Sequence, residues 1–423
     1  MIIRTTTILG AGAVLDFDFC GIDIPTTSNI TRICIEQRVQ GYNLDEIDLI
    51  KQIYNKVIDS AKSEYKKSHP NISNHIPLIS FEDLFEVIET LYSYNRTWKH
   101  ERHQTSHIST LIKSEISFES IEYYRSLIAI IKTIINIVNA YDTRFKENNR
   151  ELWYKQFWKS FNGQIDVFSF NYDTTIEHSV EKYNDGFVNF TPQYKRFEPK
   201  ALWNKNKNLA TINHLHGCIM YADINPKSLE FNYGHRDLYK FYNIEKVLSM
   251  LGYQWLPHNQ AGNDIFYTPI ITGLKKTDKI CYMPHNFYHA NFINKIIENP
   301  SLLICGYSFG DIYANQILER HKLIHKKNQR VVIVEKWPNY VNENNNSLYN
   351  YYIKHTTNGF KEFVGRIIEG GISPLDIFCK FDQILDGCWQ SPNGHFRLYT
   401  KGFKYSIEKY QKDIISFLQN RNS

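Results

Sequence analysis

The chain has 423 residues, 42% hydrophobic and 22% charged, which predicts about two or three domains at ~150 residues each and allows a sizeable core. A formal net charge of +5 is small for this length and falls in short basic runs such as Lys326-Lys327; a solvated face explains these, so no direct nucleic-acid binding is evident. Seven cysteines (20, 34, 218, 281, 305, 379 and 388) without a C-x-x-C pair predict reduced thiols in a cytosolic protein and no metal centre.

The N-terminus, Met-Ile-Ile-Arg-Thr-Thr-Thr, is too short and polar for a signal peptide, and residues 2–9 read as the first strand. The chain turns at Gly10-Ala11-Gly12 and again at Gly21 to Pro25, then becomes helical to about residue 160. Ser80-Phe81-Glu82-Asp83 matches a capping box, and Phe81, Leu84, Phe85, Ile88 and Leu91 follow as one apolar helix face. Leu127 to Val138 is the longest apolar stretch. Lys132, Thr133 and Asn136 interrupt it, and it falls short of the ~18 residues that a membrane span needs. It reads as a buried helix, with no membrane role and a cytoplasmic location.

Ile165 to Phe170 is a buried strand ending at Asn171, and Leu209 to Leu215 is another ending in His216-Gly217. Residues 220–290 are rich in aromatics and turns, as expected of a cap. Ser301 to Cys305 is a short apolar strand followed by Gly306-Tyr307-Ser308-Phe309-Gly310-Asp311 and a helix to about His325. With Val331 to Glu335 as a further buried strand, this is the βαβ unit of a parallel sheet. Asn342 to Asn346 reads as a linker. The expected architecture is α/β: a Rossmann-like parallel sheet from residues 1–27 and 161–340, a large helical insertion at 28–160, and a C-terminal appendage at 341–423 suited to oligomerisation or partner binding.

In open α/β sheets, ligands bind outside the carboxyl ends of the strands where strand order reverses. Four junctions have that character: Gly10 to Ala13, Asn171 to Asp173, His214 to Gly217, and Gly306 to Asp311. Together they are expected to line one nucleotide pocket. Each also has a plainer reading. Gly10-Ala11-Gly12 is half of a dinucleotide fingerprint, with Leu15 where the third glycine would stand, and any tight strand–helix turn would use the same glycines. Glu36, near the distance at which an acid holds a ribose, keeps a dehydrogenase in view. Asn171, Tyr172 and Asp173 alone could be a turn. His216 alone could be a hydrogen-bonded core histidine, with His214 as the fallback on the same strand face. Gly306 to Gly310 is also G-x-S-x-G between strand and helix, so Ser308 could be a hydrolase nucleophile served by His395 and one of Asp376, Asp382 or Asp386. Against this, no HGGG-type oxyanion stretch exists, and the early glycine turn and Asn171 would go unused. His100, His103 and His107 share a helical face that reads as exposed and polar rather than zinc-binding.

Taken in order, these motifs resemble the sirtuin fold family, and within it the bacterial sirtuin-like proteins of anti-phage defence. The matching pieces are Gly10-Ala11-Gly12-Ala13, Gly21 to Pro25, Phe170-Asn171-Tyr172-Asp173, His214-Leu215-His216-Gly217, Gly306 to Asp311 and the strand ending at Glu335. Val14 stands where that family often has serine, and the four-cysteine zinc site of the deacylating sirtuins is absent from the sequence. The resemblance implies an enzyme that breaks NAD into ADP-ribose and nicotinamide, controlled by homo-oligomerisation or by a partner such as a HerA-type ATPase or a short Argonaute-like protein. It implies Asn171 and His216 as the catalytic pair, with Asn171 holding water or a ribose hydroxyl and His216 acting as base. Gly10, Ala11, Gly12, Ala13, Gly306 and Ser308 would hold the pyrophosphate side of NAD. Asp173 would meet the nicotinamide, and Glu335 the adenosine ribose. A non-catalytic NAD or ADP-ribose sensor stands beside the hydrolase as the third reading.

Overall fold

The computed structural model describes residues 4–18, 24–36, 44–68, 79–100, 120–147, 151–204, 209–224, 237–251, 266, 268–273, 276–342, 344–368 and 380–419. Its strands are β1 (Thr5–Leu9), β2 (Ile165–Ser169), β3 (Tyr183–Asn184), β4 (Phe187–Asn189), β5 (Tyr194–Phe197), β6 (Ala210–His214), β7 (Tyr221–Asp223), β8 (Leu238–Phe241), β9 (Ser301–Cys305), β10 (Arg330–Val334), β11 (Asp382–Leu385), β12 (Cys388–Gln390) and β13 (Phe396–Tyr399). Nine of them form one sheet in the order β11-β12-β13-β10-β9-β1-β2-β6-β3. The run from β13 to β3 is parallel throughout. β1, β2 and β9 are buried along their whole lengths, as strands covered by helices on both faces must be.

Numbering the six long parallel strands by their place in the chain gives the spatial order 3-2-1-4-5-6, with β1 and β9 as neighbours on either side of the reversal. Leu9 pairs with both Ser169 and Cys305, so β1, β2 and β9 end at one level. The residues that follow them (Gly10, Phe170 and Gly306) therefore emerge side by side. A smaller antiparallel sheet, β4-β5-β8-β7, sits between β3 and β9 in the chain. It begins at Phe187, well before the cap expected at 220–290.

Among the described residues, the connection from β1 to β2 holds the α-helices Thr27–Glu36, Leu44–Ser68, Phe81–His100, Ser120–Glu147 and Leu152–Lys159. The capping box is present: Ser80 Oγ accepts from the Asp83 amide at 3.1 Å, and Asp83 accepts from the Ser80 amide at 2.8 Å. Phe81, Leu84, Phe85, Ile88 and Leu91 are all buried, as are Leu127, Ile130, Ile131, Ile134 and Ile135. No helix among the described residues is long and apolar enough to cross a membrane.

Two expectations about the C-terminal third are overturned. The Asn-rich stretch does not read out as a linker: Asn344 caps the helix Asn345–His355, its side chain accepting from the Ser347 amide at 2.8 Å. Nor are residues 341–423 an appendage to the sheet, because β13 pairs in parallel with β10 and brings β12 and β11 with it. The helix Phe403–Leu418 completes the core, where the Phe403 ring meets Trp153, Tyr154, Phe157 and Trp158 at 5.6 to 6.0 Å. Cys34, Cys218, Cys281, Cys305 and Cys388 form no disulfide with one another; Cys20 and Cys379 lie outside the described residues.

Candidate functional site

A cavity of about 370 Å³ opens at the carboxyl ends of β1 and β9, where strand order reverses. Its wall takes Gly10, Ala11, Gly12 and Val14 after β1, Phe170, Asn171 and Tyr172 after β2, His216 after β6, and Gly306, Tyr307, Ser308, Gly310 and Asp311 after β9. The four junctions read from the sequence thus meet in one place. The helices between β1 and β2 also contribute: Thr27, Ile30, Phe81, Glu82, Val138 and Tyr141 close the other side, joined by Ile24 and Pro25. The supposed insertion is therefore a wall of the site. The earlier part of the Gly21-to-Pro25 turn lies outside the described residues.

The two glycine turns interlock. Gly306 has φ +58°, and a Cβ there would stand 2.2 Å from the Ala13 nitrogen. Gly12 donates to the Gly306 carbonyl at 3.0 Å, Gly10 to Cys305 at 3.0 Å and Ala13 to Gly10 at 2.9 Å. Three of the amides expected to cradle a pyrophosphate are thus already bonded within the protein. Ala13 is fully buried and is not on the cavity wall, contrary to expectation.

Asn171 is held through its backbone. Its amide donates to Ser169 Oγ at 3.1 Å, and its carbonyl faces His214 Nδ1 at 3.3 Å. Its side-chain amide has no protein partner among the described residues. The other nitrogen of His214 meets Glu177 Oε1 at 3.0 Å. Both ring nitrogens therefore face acceptors, so both must carry protons, which removes His214 as the fallback base. Burial pulls the His214 pKa down, but the Glu177 carboxylate outweighs it and the net shift is upward. Lys240 lies 3.2 Å from Glu177 and 2.6 Å from Asp185, so two buried cations face two buried carboxylates. Glu177, His214 and Cys218 are also close enough to hold a metal ion. Lys240 already supplies the positive charge there, and burial pushes the Cys218 thiol well up, which disfavours the thiolate that a metal needs.

His216 sits on a turn that needs glycine next: Gly217 has φ +90°, and a Cβ there would be 1.9 Å from the Pro269 carbonyl oxygen. The Ile271 amide donates to the His216 carbonyl at 2.8 Å. The His216 ring stands edge-on to Phe170 at 4.8 Å, and Phe170 stacks on Tyr307 at 4.7 Å. His216 Nε2 lies 2.9 Å from Asp311 Oδ2. Asp311 was not singled out from the sequence as a site residue. Its place before the helix Ile312–Leu318 could have marked it as a cap, but not as a partner of His216. Lys276 and Glu82, paired at 3.1 Å on the cavity wall, were not singled out from the sequence as site residues, Glu82 appearing there only within the capping box.

Several expectations fail on position. Asp173 is buried behind the wall, accepting from the Thr175 amide at 3.0 Å and from the Tyr141 hydroxyl at 2.9 Å. It positions Tyr141, which does line the cavity, instead of meeting a ligand itself. Glu335 directly follows β10 and accepts from the Trp337 indole at 3.3 Å, and it is not on the wall either. Glu36 is exposed and pairs with Arg32 at 2.9 Å, which removes the dehydrogenase reading. The serine hydrolase fails as well. His395 bonds Arg330 at 2.7 Å by the amino end of β10, whereas Ser308 follows the carboxyl end of neighbouring β9. Asp386 pairs with Lys401 at 2.6 Å, and Asp382 is exposed on the edge strand β11. Asp376, His103 and His107 lie outside the described residues, as does the side chain of His100.

Residues 166–355 match the family model of the SIR2-like domain. The SIR2-like segment runs from β2 through the helix Asn345–His355 and so contains Asn171, His216 and the whole Gly306 to Asp311 loop. It supports a sirtuin-like family and an NAD-related enzyme function. β1 with its glycine turn and the helices up to Lys159 lie before the segment, and β11 to β13 lie after it. No curated protein matches the chain.

Proposed function

We propose that the protein is a sirtuin-like NAD hydrolase that cleaves NAD to ADP-ribose and nicotinamide. The observation that carries this reading is the meeting of Asn171 and His216, from different strands, on one cavity at the switch point of the sheet. Nicotinamide leaves as a neutral base while positive charge builds on the ribose, so the protein must fix the ribose and bring water to its anomeric carbon. The free side-chain amide of Asn171 holds the water, and His216 takes its proton. A positioned base of this kind is worth ~10²–10⁴-fold in rate. Lys276 is the cation on the wall suited to a phosphate, and Ser308 is a hydroxyl suited to the same ligand. Glu82, 3.1 Å from Lys276, is its ion-pair partner on the same wall.

By resemblance to the defence sirtuins, the biological role is depletion of NAD during anti-phage defence. The same resemblance makes control by self-assembly, or by a partner such as a HerA-type ATPase or a short Argonaute-like protein, part of the proposal. The test is incubation of the purified chain with NAD, with and without such partners, and chromatography of the products. Wild type should release nicotinamide and ADP-ribose in equal amounts, and Asn171→Ala and His216→Ala should each lose at least ~10²-fold in rate while remaining folded. Turnover at the wild-type rate by either variant would sink its assigned role, and NAD binding without any turnover would favour a sensor.

A further inference from the structure

We infer that Asp311 is a positioning residue that fixes His216 as the Nε2–H tautomer and so leaves Nδ1 as the nitrogen that takes the proton. The two oxygens of Asp311 have separate tasks: Oδ1 accepts from the Ala314 amide at 2.9 Å, capping the helix Ile312–Leu318, and Oδ2 lies 2.9 Å from His216 Nε2. A carboxylate has no proton to give, so the contact to Oδ2 requires Nε2 to be the donor. Burial alone would raise the Asp311 pKa, but the bonds from His216 and Ala314 outweigh it and hold the carboxyl below its usual range. With Nε2 committed, Nδ1 has no protein partner among the described residues. The perpendicular Phe170 ring packs against the imidazole, and the Ile271 bond to the His216 carbonyl fixes the backbone that carries it.

The chemical consequence rests on the NAD-hydrolase reading given above. As the C–N bond of the nicotinamide riboside breaks, its electron pair leaves with nicotinamide. The water oxygen bonds the anomeric carbon, and one water proton passes to Nδ1. The ring then carries both protons and is stabilised by the Asp311 carboxylate until Nδ1 returns its proton to solvent.

The cap and the pairing can be separated, because asparagine caps a helix as well as aspartate but cannot act as an anionic acceptor. In the full chain labelled with ¹⁵N-histidine, and with the His216 signal assigned by its loss in His216→Gln, neutral His216 should show a protonated Nε2 and a bare Nδ1. Asp311→Asn should lose that preference while melting within a few degrees of wild type. Its kcat for nicotinamide release should fall by ~10²–10⁴-fold, with the KM for NAD changed less than ~threefold. A wild-type His216 that carries its proton on Nδ1 would overturn the inference, and so would an Asp311→Asn enzyme with wild-type kcat. Should wild type release no nicotinamide, the hydrolase reading fails by itself, and the tautomer measurement still decides the pairing.

Discussion

Glu335 shows how a residue can look like a ligand group and serve another purpose. It directly follows β10 at the edge of the sheet where ligands bind, but its carboxyl is covered and bonded by Trp337. Burial pushes its pKa up from 4.5 to about 7. The folded chain therefore keeps a proton that the unfolded chain gives up above ~pH 4.5, so this residue lowers stability as pH rises from there through about 7. Denaturant titrations at ~pH 5 and ~pH 8 should show wild type losing up to ~3 kcal/mol relative to Glu335→Gln. Equal pH dependence of the two proteins would mean that the carboxyl is ionised in the fold. At this scale Asn171 and His216 were legible as cavity residues only together with the other strand ends, since an asparagine alone reads as a turn and a histidine alone as a core residue. The sequence was not legible for Asp173, Glu335 or Asp311, since a carboxylate after a strand can face a ligand, a hydroxyl, an indole or a histidine with equal local logic. Only the approach of segments as distant as His216 and Asp311 decides among them.

Among the elements, the glycine turns after β1 and β9 form one interlocked unit, each filling the space that a side chain on the other would need. Gly306→Ala must find room for a Cβ 2.2 Å from the Ala13 nitrogen at φ +58°, where a side chain is strained in any case. It should cost at least ~1–3 kcal/mol in stability and weaken NAD binding by deforming the wall, measured by denaturation and titration calorimetry. Unchanged stability would show that the two turns are not in contact. The strands β1, β2, β6, β9 and β10 were readable as short, largely apolar runs bounded by turn residues. The capping box at Ser80 was readable because its two partners are three residues apart. The stretch around Asn344 was misread because asparagine favours both linkers and helix caps, and local composition does not separate them.

Over the whole molecule, the order 3-2-1-4-5-6 explains why residues from both halves of the chain share one crevice. The α/β class and the parallel core followed from the spacing of strands and helices. The roles of the flanking parts did not, because pairing partners leave no mark in a single strand. β13 looks like any short apolar run until it lies beside β10, and Val138 and Tyr141 look like core residues until their helix closes a cavity. The site is thus built by the SIR2-like segment together with the residues before it, which makes the geometry of the bound dinucleotide the decisive observable. The most direct measurement is the structure of the inactive Asn171→Ala variant with NAD. The account predicts the nicotinamide riboside between residue 171 and His216, with the pyrophosphate reaching toward Ser308 and Lys276. NAD bound elsewhere, or with its anomeric carbon out of reach of His216, would contradict it.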